Sequence, residues 1–342
     1  MASDTALVVR SRGQLRTAGL LAALVLLAAV SAASVAVGSV HIPLGDVVGA
    51  LVDPEATDEH VIVRDVRVPR TLVGIAVGAA LGVAGALLQG LTRNPLADPG
   101  LLGFEAGAAL ALVAAIFLLG VSSIAGYVWF ALAGAAVAGG VVYALGASGG
   151  SRAAPVTLAL AGAAVTALMT AFTSAILILD VQTLDEFRFW VAGSIAGRDL
   201  AVLAGALPFM AVGLLLALGS GRALNAQALG EDLARSLGQR VGRARAGAAA
   251  ASVLLSGAAV AVAGPVAFIG LTVPHAARAI VGSDYRWIVP YSAVLGAILI
   301  LVADVIGRVV AAPAEVPVGI VMAAVGVPAF IAIVRRPRLA EL

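Results

Sequence analysis

The sequence predicts an all-α integral membrane protein with about ten transmembrane helices, several of them short or broken, and with both termini in the cytoplasm. Three observations carry the prediction. Of the 342 residues, 61% are hydrophobic and 12% charged, where a soluble domain carries roughly 25% charged residues. At half that charge, and with a mean hydropathy of +1.08, the chain cannot cover a water-facing surface. Apolar runs close to the ~20 residues that a helix needs to cross a bilayer recur along the whole chain. The arginines between those runs alternate in density, which sets an orientation.

The first run is 17–39 (TAGLLAALVLLAAVSAASVAVGS). Arginines precede it, as in a secretory leader, but it is longer than the roughly 7–15-residue apolar core of such a leader and reads as a span. Further runs fall near 69–90, 104–120, 124–147, 156–180, 200–218, 247–268, 272–283, 288–310 and 317–334, the 272–283 piece being too short to cross unaided. With the N-terminus inside, Arg10, Arg12, Arg16, Arg93, Arg152, Arg222, Arg235, Arg240, Arg243, Arg245, Arg286, Arg335, Arg336 and Arg338 are cytoplasmic. The opposite side receives Arg64, Arg67, Arg70, Arg188, Arg198, Arg308 and the acidic stretch from Asp46 to Asp65. An even number of spans returns the C-terminus to the cytoplasm. The chain therefore reads as one membrane domain, 1–342, with cytoplasmic tails at 1–16 and 335–342 and its longest cytoplasmic loop at 221–247.

Two absences limit the chemistry. There is no cysteine, hence no disulfide, thiolate or iron–sulfur site. All 21 basic residues are arginine, which removes the phosphate-binding lysine of a Walker A loop and any Schiff base. If the chain pumps a solute, the energy comes from another polypeptide or an ion gradient. His41, His60 and His275 lie far apart and suggest no metal site.

Gly74, Gly78 and Gly82 recur every four residues in the second span, followed by Gly85, the spacing that lets helix backbones approach closely in lipid. VAGALLQGLTRNP (83–95) is echoed by VAGPVAFIGLTVP (262–274). In the orientation above the first runs toward the cytoplasm and the second away from it, as in transporters built from opposed repeats.

Three segments are too polar or too rich in helix breakers to be lipid-facing filler. LTRNPLADPGLLG (91–103) is either an ordinary turn or a structured element lining a path. In 221–247 the centre reads as two short amphipathic helices around Gly230, with Ala223, Leu224, Ala228, Leu229, Ala234 and Leu237 apolar and Glu231, Asp232 and Arg235 polar. A helix lying on the bilayer explains its basic tail, whereas a docking surface for a soluble partner explains the Gly-Glu-Asp centre better. Arg67, Arg70 and Arg308 oppose the orientation bias. Either they receive carboxylates from a partner, or they snorkel or pair locally, Arg308 with Asp304 or Glu315.

These segments carry a resemblance. RVPRTLVGIAVGAALGVAGALLQGLTRNPLADPGLLG (67–103), LGEDLARSLG (229–238), GPVAFIGLTVPHAAR (264–278), ADVIGR (303–308) and EVPVGIVMAAVGVPAF (315–330) stand in the order and spacing of the membrane subunit of type II ABC importers. The chain from about residue 40 resembles these FecCD-like permeases for ferric siderophores, haem and cobalamin. The resemblance implies about ten helices and a dimer, with a second copy or a related permease chain, around a path on the two-fold axis. It implies two separate ATPase subunits holding ATP and Mg, and an extracytoplasmic substrate-binding protein. It also implies a bacterial inner-membrane location, no catalytic, metal or cofactor site on this chain, and no nucleic-acid partner. Residue by residue, Gly230, Glu231, Asp232, Ala234, Arg235 and Gly238 match the ATPase-coupling helices. Arg67, Arg70 and Arg308 match arginines that receive the binding protein's carboxylates. Asn94 and Leu96 match a cytoplasmic gate, and Thr166, Met169, Thr170 and Thr173 match a face lining the path.

One departure is Glu105, where the family has small polar residues. It could pair with Arg93, lie at the interface or distinguish two unlike permease chains. An ion-coupled secondary transporter remains the second reading, with Asp304 and Glu105 as its only carboxylates of interest. A membrane enzyme has no constellation to support it.

Overall fold

The computed structural model describes residues 2–121, 123–147, 155–198 and 200–334. Arg152 and the expected tail 335–342, with Arg335, Arg336 and Arg338, lie outside them. The chain opens with α1 (Ala2–Ala36), which absorbs the expected 1–16 tail into one continuous helix. The acidic stretch folds into α2 (Leu44–Val52), α3 (Asp58–Val61) and a π-helical turn, Ile62–Arg67, over a small core of Ile42, Val47, Ala50 and Val63. Then come α4 (Val68–Thr92), a 3-10 turn at Pro99–Leu102, α5 (Phe104–Leu119), α6 (Ile124–Ala147), α7 (Pro155–Leu179) and the short α8 (Val181–Val191). The remainder is α9 (Leu200–Ala228), α10 (Glu231–Ser236), α11 (Val241–Ala263), α12 (Ile269–Val281), α13 (Tyr285–Val310) and α14 (Val318–Val334).

Seven helical stretches among the described residues are long and apolar enough to cross a membrane, and three shorter apolar helices accompany them: Phe104–Leu119, Ile269–Val281 and Val318–Pro328. The stretch holding α4 is the centre: 78% of its apolar window is buried in the protein, against 6% for α1 and 17% for α7. Its most extensive partners are α13 and α11. The four-residue glycine register explains why. A Cβ on Gly78 would collide with the Gly296 carbonyl of α13, and one on Gly82 with the Ser292 carbonyl. Backbones meet directly there, and packing in lipid depends on such fits.

The 83–95 and 262–274 echo is not a structural repeat. Its first copy runs mostly within the unbroken α4, while its second straddles the end of α11 and the non-helical 264–268 before entering α12. The two do touch: a Cβ on Gly85 would strike Gly270. Pro274 lacks the N–H that would bond the Gly270 carbonyl, and Gln89 Nε2 fills that vacancy from α4, donating to Gly270 O at 3.1 Å and Leu271 O at 3.3 Å. A broken helix deep in a membrane needs this kind of substitute.

The expected loop 221–247 is mostly helix. Residues 221–228 continue α9, where Arg222, Ala223, Leu224, Ala226, Gln227 and Ala228 are good helix formers, and α11 begins at Val241. Only α10 stands as a separate short helix, where two had been expected.

Candidate functional site

Chemistry-bearing residues gather at the two ends of the helical bundle. At one end Arg67, Arg70, Asp304 and Arg308 are buried, 3%, 5%, 1% and 1% exposed. They form a clasp. Asp304 bridges Arg70 (Nη2 to Oδ1, 2.7 Å) and Arg308 (Nη2 to Oδ2, 2.6 Å), one helical turn apart on α13. Arg70 Nη1 continues to Glu315 at 2.6 Å, whose other oxygen accepts from Ser39 at 3.0 Å. Arg67 and Arg308 turn instead to the C-terminus of α1. Arg67 donates to Val35 O at 3.0 Å and to Ala36 O and Val40 O at 2.6 Å; Arg308 donates to Ser34 O at 2.8 Å and Val37 O at 2.9 Å. The last turn of a helix leaves carbonyls unsatisfied and carries partial negative charge, so guanidinium groups suit it twice over. Glu315 lies in the loop before α14. Burial alone would raise its carboxyl, but the bonds from Arg70 and Ser39 hold it below the usual carboxylate range.

The local ion-pair reading of Arg308 with Asp304 therefore describes this geometry, and Arg70 takes Glu315. All three arginines are buried, 3%, 5% and 1% exposed for Arg67, Arg70 and Arg308. Asp304 is held between two arginines.

At the other end, α4 stops at Thr92 because Arg93 takes a left-handed conformation, φ 49°. The chain then folds through two side-chain-capped turns. Asn94 Oδ1 accepts from Leu96 N and Asp98 Oδ1 from Gly100 N, both at 2.9 Å. Leu96 stays exposed and Asn94 half-buried. Burial pushes the Asp98 carboxyl up to about 6 against the Gly100 N–H. Glu105 lies beside Asp98 rather than paired with Arg93: a Cβ on Gly100 would be 3.2 Å from both carboxylates.

The α7 face divides. Thr173 is buried and Thr166 and Met169 are half-buried, while only Thr170 is exposed. Thr173 Oγ1 donates to Met169 O of its own helix at 2.9 Å, a bond that satisfies a hydroxyl without any water-filled path. The exposed side of α7 is instead apolar, with Leu160, Leu168 and Phe172.

Beside the 93–103 turn, α10 projects from the bundle. Gly230 (φ 112°) and Gly238 (φ 81°) bracket it in conformations that L side chains rarely adopt. Glu231 opens the helix, Ala234 is wholly buried against the bundle, and Asp232 pairs with Arg235 at 3.7 Å. Leu229 just before Gly230, Leu233 within the helix and Leu237 at its C-cap make an exposed ridge, 65%, 48% and 66% exposed. The sequence reading counted Leu229, Ala234 and Leu237 among the apolar positions but missed Leu233; the four-residue leucine spacing was the available signal. It also missed Asn225, which joins α9 to Asp284 (2.6 Å) and to Tyr285 N (2.8 Å).

Comparison with known proteins bears on the chain as a whole. The model of the FecCD transport family matches residues 24–336. YfiZ of Bacillus subtilis (strain 168), named as a siderophore transport system permease protein, is 46% identical over 82% of this chain and 84% of its own. The ferric enterobactin transport system permease protein FepD of Escherichia coli (strain K12) is 44% identical over 92% of this chain and 93% of its own. Among solved structures, an ABC transporter assigned to the metal-chelate type, in an inward-facing conformation, superposes with a TM-score of 0.81 at 26% identity. That match covers 92% of this chain and 98% of the other. The chain thus belongs to the FecCD transport family: it is a multi-pass permease subunit of an ABC importer in the bacterial cytoplasmic membrane, and ATP hydrolysis lies on separate subunits.

Proposed function

We propose that this permease moves a ferric siderophore into the cytoplasm by alternating access, as half of a dimer served by two ATPase subunits and an extracytoplasmic binding protein. Residues 1–342 act as one permease domain and hold no cofactor of their own. The siderophore assignment rests on the names of the two relatives above. The three shorter apolar helices bring the spans to ten, with both termini cytoplasmic and the end bearing α10 inside.

The observation that carries the reading is the ridge of Leu229, Leu233 and Leu237. Three exposed leucines, one just before Gly230, one within α10 and one at its C-cap, are costly in water and suit a protein partner. Gly230, Glu231, Asp232, Ala234, Arg235 and Gly238 would then shape the ATPase contact, the glycines by allowing the turns and Ala234 by seating the helix. Asn94 and Leu96, on the neighbouring turn, would form the gate that this contact moves. Thr170, the exposed α7 residue of the expected set, would meet cargo, and Thr166, Met169 and Thr173 would support it from behind.

At the opposite end, the binding protein's carboxylates would meet the arginine clasp by exchange. Glu315 is about a third exposed on Arg70, so an incoming carboxylate could take its place, with Arg67 and Arg308 held behind by α1. Proteoliposomes carrying this chain, its ATPase and its binding protein should take up radio-iron siderophore only with ATP, and Leu233→Arg should sharply lower that uptake. Uptake driven by an ion gradient without ATP would overturn the reading.

A further inference from the structure

The last turn of α9 leads directly into the leucine ridge, and one side chain on it is fixed to a different helix. Asn225 stands four residues before Leu229. Its amide is used at both ends: Nδ2 donates to Asp284 Oδ1 at 2.6 Å, and Oδ1 accepts from Tyr285 N at 2.8 Å. Asp284 is the N-cap of α13 and Tyr285 its first residue. One turn earlier α9 meets the same place with its backbone, for a Cβ on Gly221 would lie 3.1 Å from Arg286 N and 3.2 Å from Arg286 Cα. The end of α9 and the start of α13 thus make one joint. On the far side of that joint is α4. The Tyr285 ring, 8% exposed, lies against Gly90, where a Cβ would stand 3.0 Å from Cε1 and Cζ. Gly90 is two residues from the end of α4 at Thr92 and four from Asn94.

We infer that Asn225 is a positioning residue through which movement of α10 reaches the turn holding Asn94 and Leu96. The inference rests on the ATPase contact and the gate proposed above. α10 is tied back to α9, since Gly230 N donates to Gln227 O at 3.1 Å and Ala234 is wholly buried. A partner that moves the leucine ridge therefore loads the last turn of α9. Coupling between separated groups is carried by packed side chains, hydrogen-bond networks and rigid helices. Here they stand in series: the two bonds of Asn225, one of them to a carboxylate and so of the stronger kind, then the first turn of α13, then an aromatic ring on α4. Because Gly90 has no side chain, the ring meets α4 with no flexible group between them to absorb a displacement. The competing route is α11, which α10 also touches.

The chain has no cysteine, so Leu96→Cys reports on the turn through its rate of reaction with a maleimide. The test uses the assembled transporter in proteoliposomes and reads that rate with and without ATP, ATP hydrolysis, and radio-iron siderophore taken up per ATP. With Asn225 intact, ATP should change the labelling rate. Asn225→Leu keeps the size of the side chain without its polar ends. The ATP-dependent change should vanish and uptake per ATP should fall about tenfold, an ordinary coupling factor, while hydrolysis stays within about twofold. Asn225→Asp should do the same, because it sets a second carboxylate against Asp284. Adding Asp284→Asn exchanges amide and carboxylate across one contact at constant net charge, and should restore uptake per ATP to within about twofold of the wild type. The exchanged pair decides the matter even if Asn225→Leu folds poorly. Parallel loss of hydrolysis and uptake would reduce Asn225 to a structural role and overturn the inference. So would a double variant no better than Asn225→Asp, or a full response in Asn225→Leu, which would assign the route to α11. A wild type that takes up nothing with ATP would overturn the proposed function and this inference with it, whereas an unaffected Asn225→Leu overturns the inference alone.

Discussion

The two ends of this bundle use the same residue types in opposite ways. At the clasp, arginines and carboxylates are buried and satisfy one another and the end of α1. At the α10 end Asp232 and Arg235 are exposed and leucines take the surface beside them. A buried polar network fixes a geometry, since each member left unpaired is costly. An exposed apolar ridge fixes nothing by itself and is costly until something covers it. One end is thus built to hold its shape and the other to be met by a partner.

The largest expected effect comes from breaking the clasp. Asp304→Ala would leave Arg70 and Arg308 without their shared counter-ion among buried groups, a loss of about 3–5 kcal/mol for this kind of change. Thermal unfolding in detergent should show a strongly destabilised chain. A variant as stable as the wild type would mean that water reaches the cluster and that the contrast between the ends is smaller than drawn.

Leu233→Arg attacks the other end. Leu233 touches solvent in the isolated chain, so its replacement should leave the unfolding temperature within a degree or two, surface changes usually lying within about 0.5 kcal/mol. ATP-driven uptake should nevertheless fall at least about tenfold. A matched fall in stability and transport would show that the ridge is structural, and the comparison would collapse.

How legible each end was follows from the kind of partner involved. The glycine register of α4 could be read because close helix contact in lipid leaves a periodic trace in one segment. Arg308 with Asp304 could be read as an i, i+4 pair. Arg67 and the α1 carbonyls could not, because backbone acceptors carry no sequence identity and the contact depends on how α1 crosses α4. The α7 face failed for a related reason. A threonine stripe shows polarity, but Thr173 spends its hydroxyl on its own helix, so the stripe does not tell lumen from core. The doubled VAG-and-GLT pattern was likewise shared composition: the same residues are continuous helix in α4, while Gly264 and Pro265 help break the second copy.

Glu315 offers a graded probe of the clasp. Its carboxyl is held below the usual range by Arg70 and Ser39, so the bonds stabilise the fold above the ordinary glutamate value of about 4.3. That contribution is lost as pH falls through the lowered value. Glu315→Gln should therefore flatten the stability curve in that acid window and change it little above it. If docking carboxylates do exchange with Glu315, the variant should also bind the binding protein more tightly, because a weaker occupant is displaced. Unchanged affinity would confine Glu315 to a structural role.

The smallest effect is expected at Asp284, which anchors α1 at the α10 end as the clasp anchors it at the other. Asp284 caps α13 through Arg286 N, accepts from Asn225, and meets Arg286 (2.7 Å) and Arg16 (3.6 Å). Arg286, with Asn225 and the capped backbone, holds its carboxyl down to about 2. The folded state thus gains from ionisation above the unfolded aspartate value of about 3.9, and the gain disappears as pH drops through about 2. Yet Arg286 is largely exposed, and such pairs contribute about 1 kcal/mol or less. Asp284→Asn keeps the size of the side chain and one capping oxygen, so its cost at neutral pH should be of that order and should shrink with added salt. Asp304→Ala should be insensitive to salt, because ions do not screen a cluster closed inside the protein. Unfolding both variants at low and high salt measures the contrast between the ends directly, and a salt-independent loss at Asp284 would make the α10 end a second buried clasp.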